Sequence, residues 1–226
     1  MQQDQQLERA ARDRLDQAVV NIELTLISII QGLALAVLAG AAVQPILQLQ
    51  WQAWPYIFAG LLVVLIFWSR ALIHTLSFIR WPLEFGHTFA YFGATLVEAV
   101  ALTQVAQPAH WFALNALYAL AVWGLYAWDL RVVLRDPRPA AHDAERALRE
   151  DIVRDQRINI RFMMPAAVGF QALSWWVVQR FPQAMLERGG HLVLIALTLA
   201  FSIHYLLGGV RLLRRRQHWL LLRAAD

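Results

Sequence analysis

The chain has 226 residues, 59% of them hydrophobic, with a mean hydropathy of +0.44, a formal charge of +4 and no cysteine. Its apolar residues gather into long blocks rather than alternating or amphipathic patterns, which excludes a soluble domain and points to an all-α, polytopic membrane protein. The lack of Cys excludes disulfides, thiolate nucleophiles and iron–sulfur ligation. All twenty basic residues are arginine, most of them beside the apolar blocks.

Residues 4–18 alternate charges, with Leu7, Ala11, Leu15 and Ala18 on one side, and nothing breaks the helix before Gly32, so residues 1–18 read as a cytosolic helix. One long helix is therefore expected to run from the cytosol into a first span at about 19–43, a span rather than a signal peptide because no short basic region precedes it. On this helix Asn21, Thr25, Ser28 and Gly32 share a narrow stripe, since successive residues are about 100° apart. Ile22 and Ile29 flank the stripe, and Ala36 and Gly40 continue it with small residues. Glu23 points roughly the opposite way. The stripe either hydrogen-bonds a neighbouring helix or lines a narrow path for an ion, with branched apolar rings on both sides of a hydroxyl.

Pro45 and the segment from Trp51 to Pro55 form a turn with interfacial tryptophans. Further spans are expected at about 54–79, 87–107 and 110–134, each at or above the roughly 20 residues needed to cross ~30 Å of hydrocarbon. Asp136-Pro137-Arg138-Pro139 stops the fourth. The charged stretch 135–159 carries a helical stripe of Ala144, Leu148 and Ile152, and reads as a cytosolic linker helix leading into spans at about 160–180 and 191–213. The whole chain is thus a single transmembrane domain of six spans. Sixteen arginines fall in the N-terminal arm, the 80–86 turn, the 135–161 segment and the tail, against Arg180 and Arg188 in the opposite loops. By the positive-inside rule both ends are cytosolic. Ile73-His74 with Arg80 resembles Ile203-His204 with Arg211, and Asn21-Ile22 resembles Asn159-Ile160, a hint that the first and third hairpins are repeats.

Glu98 lies near mid-membrane, where an acid costs about 2.5–3.5 kcal/mol and should be paired, protonated or facing water. It shares a stripe with His87 and Tyr91, approached by Glu84. Arg70, His74 and Ser77 form a stripe on the second span, with Arg70 deep enough to pair with Glu98 or Glu23, or else to snorkel to the headgroups. Glu23, Arg70, His74, Glu98 and His204 are expected to form an intramembrane polar cluster. His74 and His204, at similar depth on different spans, also have the placement of two axial haem ligands; no other cofactor and no metal site is expected. Asp129 and Arg131 read as interface anchors. With no nucleophile elbow, HExxH or Gly-rich phosphate loop, no enzymatic activity is expected. The cytosolic arginines imply contact with anionic lipid rather than nucleic acid.

The run from Arg14 to Ile27, RLDQAVVNIELTLI, resembles the first span of the bacterial and lysosomal six-helix potassium channel family, with Asp16-Gln17 where the family signature has Ser-Asp. Phe67-Trp68 and His74, and Asn115-Ala116-Leu117-Tyr118, echo that family's second and fourth spans. The resemblance implies a tetramer whose first span lines a pore closed by apolar rings, which places Ile22, Thr25 and Ile29 as pore-lining residues. The expected function is a homo-oligomeric ion channel or pore of the bacterial inner membrane, for a cation rather than an anion. A proton- or ion-coupled transporter using Glu98, Arg70 and His74 is the alternative. A non-conducting membrane sensor or assembly partner of a cytosolic protein is a third.

Overall fold

A computed structural model describes residues 2–78, 85–135 and 143–225. They form helices almost throughout, with no strand among them. Seven α-helices follow in order: α1 (Gln2–Leu47), α2 (Trp54–Phe78), α3 (Phe85–Leu102), α4 (Pro108–Arg135), α5 (Asp143–Ile158), α6 (Met164–Arg180) and α7 (His191–Ala225). Among the described residues, four segments are long and apolar enough to cross a membrane: Arg14–Leu47, Trp51–Ser77, Pro108–Arg135 and His191–Gln217. The expected Asp136–Pro139 stop, Arg80 and Glu84 lie outside the described residues.

Helix α1 has the expected continuity but runs to Leu47, about a turn past the expected end near 43, and takes in Pro45, which was expected in the turn. It ends where Leu49 enters the left-handed region at φ 51° and the Gln50 N–H reaches back to the Pro45 carbonyl at 2.8 Å, the six-residue closure that satisfies an otherwise orphan carbonyl. Trp51 and Trp54 are exposed beyond this turn, in keeping with an interfacial placement. Two further boundaries differ from expectation. Helix α3 stops at Leu102 instead of continuing to about 107, because Pro108 opens α4 and the intervening residues close a turn through Thr103 and Gln104. Helix α7 runs on to Ala225, about three turns past the expected end.

Helix α1 packs on α2 and α3, α3 on α4, α4 on α6, and α2 on α7, while α6 barely touches α7. The α1–α2 and α6–α7 pairs are therefore packed differently, and the repeated sequence motifs fall in unlike surroundings: Asn159 is buried and Asn21 exposed. At one end of the bundle Tyr56, Trp111, Phe112 and Ile195 are fully buried, and the Tyr56 hydroxyl meets His191 Nδ1 at 2.8 Å. Gly60 allows this packing, since a Cβ there would lie 2.8 Å from Leu102 Cδ2 and 3.0 Å from Leu38 Cδ1.

At the other end α5 lies against α4 and α7 through its predicted apolar stripe: Leu148 and Ile152 are buried with Val133 of α4. A single π-helical turn, Asn159–Met163, joins α5 to α6 without a break, so the linker helix enters the bundle directly. Such turns insert one residue and redirect the side chains around them.

Candidate functional site

The end of the bundle beneath α5 encloses a chamber of about 70 Å³, enough for a few waters or a small ion. The last turns of α2 and α4 and the first turn of α3 converge on it. Its polar lining includes Glu23, Arg70, His74, His87, Asp129 and Asp155.

Arg70 is held by Asp155 and by Tyr205. Its Nη1 donates to Asp155 Oδ2 of α5 at 3.1 Å. Its guanidinium carbon lies 4.6 Å from the ring centre of Tyr205 on α7, a cation–π distance. The Tyr205 hydroxyl donates to Asn159 Oδ1 at 2.6 Å, so at the 2.8 Å contact with Tyr126 the donor is Tyr126. Asn159 belongs to the π-helical turn, which thereby positions the ring beneath Arg70. Asp155 is shared with Arg216, whose Nη2 lies 3.6 Å away, and Arg216 Nε in turn donates to Asp151 at 2.9 Å. Arg215 also pairs with Asp151. This ladder ties α2, α5 and α7 together.

The chamber also holds two imidazoles and a carboxylate. His87 Nε2 lies 2.7 Å, and His74 Nε2 3.7 Å, from Asp129 Oδ1. Asp129 is 8% exposed, and Gln156 also hydrogen-bonds its carboxylate. Beside them, Thr88 donates to Glu23 Oε1 at 3.1 Å.

The predicted polar cluster is thus gathered in part. Glu23, Arg70 and His74 line one chamber. Glu98 does not join them: it is 1% exposed on α3, where Gln31 Nε2 donates to its Oε2 at 3.2 Å. Arg70 takes Asp155 as its partner, not Glu98 or Glu23, because α5, packed against α4 and α7, brings that carboxylate within 3.1 Å of it. His204 is exposed on α7 while His74 faces the chamber, so the two histidines are not brought together as haem ligands. Ile22, Thr25 and Ile29 lie on the outer face of α1, with Ile29 64% exposed. The Thr25 hydroxyl donates to the Asn21 carbonyl at 2.8 Å, and the space beside Gly32 and Gly40 is open.

Asp129 is buried inside the bundle, a correction to its reading as an interface anchor. Its signal was present in the sequence: an acid inside the apolar run of the fourth span carries the same cost that marked Glu98. Asp155 and Arg216 left no such signal, since each stands in a charged stretch where most side chains are solvated.

Beyond Arg70 and Tyr126 the chamber adjoins a second, mainly apolar cavity of about 370 Å³ between α2, α4, α6 and α7, into which Asn115, Gln171 and Ser202 project. No protein-family model, curated protein or solved structure matches the chain.

Proposed function

We propose that the chain is a six-span protein of the bacterial inner membrane that moves a proton or small cation through the chamber inside each protomer. Helices α1–α4, α6 and α7 supply the spans, and α5 lies on the cytosolic face together with both ends of the chain, as the arginine distribution requires. This is the ion-coupled transporter reading. The observation that carries it is the convergence of Glu23, Arg70, His74, His87, Asp129 and Asp155 on one cavity of a single chain. Ionisable groups within a membrane are expensive to keep and mark ion or proton pathways by default. A transporter places such groups within a protomer, whereas a channel arranges them around a symmetry axis.

A second reading, the homo-oligomeric cation pore, is favoured by the outward stripe of Asn21, Thr25, Ser28 and Gly32 on α1, which no other helix among the described residues covers. A second copy could pack there, and the resemblance of the first span implies a tetramer.

Flux measured in liposomes containing the purified protein separates the readings. Under the chamber reading, Asp129→Asn abolishes cation or proton flux, while Ile29→Asn on the outer face leaves it unchanged. Under the pore reading, Ile29→Asn wets an apolar constriction and raises leak. Flux absent from the wild-type protein under proton and cation gradients overturns both, and leaves the non-conducting sensor or assembly partner.

A further inference from the structure

We infer that His74, His87 and Asp129 form a binding site for one divalent first-row transition metal ion. One imidazole nitrogen from each histidine and one carboxylate oxygen all lie within 4.8 Å of one another. Metal ligands at ~2.0–2.2 Å stand roughly 3–3.5 Å apart, so the widest pair closes by a little over 1 Å on binding, within reach of side-chain rotation. The 2.7 Å contact between His87 and Asp129 opens slightly in the same movement.

Charge accounting around the chamber favours a cation at this wall. Its arginines, Arg70 and Arg216, are engaged by Asp155 and Asp151. Asp129 has the two imidazoles and Gln156, and Glu23 the Thr88 hydroxyl, as described partners. A carboxylate only 8% exposed, with both neutral-capable imidazoles beside it, is costly unless a positive charge meets it. A divalent ion supplies that charge.

The donor set selects the class of metal. Two imidazoles and one carboxylate suit Zn²⁺, Mn²⁺ or Fe²⁺, and disfavour Mg²⁺ and Ca²⁺, which take oxygen ligands. Three protein ligands leave coordination positions facing the chamber, which has room for water. The ligands come from three helices, α2, α3 and α4, so binding would pin the chamber end of the bundle. This inference does not depend on transport, since occupancy is measured without flux.

The test uses the full chain, purified in detergent, stripped with chelator and titrated with Co²⁺ as a spectroscopic probe. One equivalent should bind, with the visible absorption of a nitrogen- and oxygen-ligated ion, and Zn²⁺ should displace it. His87→Gln and Asp129→Asn should each weaken binding about 100-fold or more, since loss of a mere supporting partner already costs 10–100-fold. His204→Gln and His191→Gln should bind as wild type. Thermal melting without metal, run on every variant, identifies any that fails to fold, and wild-type melting should rise on adding Zn²⁺. The inference is overturned if wild type binds no Co²⁺ at micromolar concentration, or if folded His87→Gln and Asp129→Asn bind as tightly as wild type.

Discussion

Arg70 on α2 pairs with Asp155 on α5 at 3.1 Å, across 85 residues of sequence, and this contact joins the linker helix to the bundle. Its two side chains are 14% and 19% exposed. Removing one partner of so enclosed a pair strands the other charge. Asp155→Leu should therefore cost on the order of 3 kcal/mol, and pairing it with Arg70→Met should recover much of the loss. Thermal unfolding of both variants beside wild type measures the coupling; strictly additive losses would disprove it.

Glu98 should behave differently, because its partner is the neutral Gln31. Glu98→Gln retains a hydrogen-bonding group of the same shape and removes the charge, so stability should hold or rise. Gln31→Leu leaves the Glu98 carboxyl without that donor and should cost about 1–3 kcal/mol. The two substitutions shift melting in different directions if the pair is as described.

Gly60 is the tightest helix approach in the upper core. Gly60→Val would drive methyl groups into Leu102, Leu38 and Trp111, and overpacking of this kind costs about 1–3 kcal/mol. Gly32→Val, on the open outer face of α1, should leave the melting temperature of the monomer nearly unchanged. Equal losses at the two sites would contradict the packing.

The absence of native Cys makes topology directly measurable. Single cysteines at the exposed positions Gln48 and Glu187 should react with an impermeant maleimide on intact cells, and one at Glu150 only after permeabilisation. Labelling at Glu150 from outside would invert or break the six-span arrangement.

Helix identity and the apolar character of the spans were legible in the sequence because both are local: the length of an apolar run and the absence of helix breakers decide them. The continuous α1, the turn at Trp51 and the buried Leu148 and Ile152 of α5 follow from such signals. Glu23, Arg70 and His74 were recognisable as costly groups, since burial of charge in an apolar segment is visible residue by residue. Their partners were not. Asp155 meets both Arg70 and Arg216 only because a π-helical turn carries α5 into α6 and α5 packs against α4 and α7. His74, His87 and Asp129 come from three helices whose relative rotation no single segment specifies. Which face of α1 turns outward, and so which of its polar residues the bundle encloses, is likewise set by the packing of α2 and α3 against it. Sequence determined which groups must find compensation in a membrane; only the tertiary arrangement decided which groups compensate one another, because that depends on contacts between helices distant along the chain.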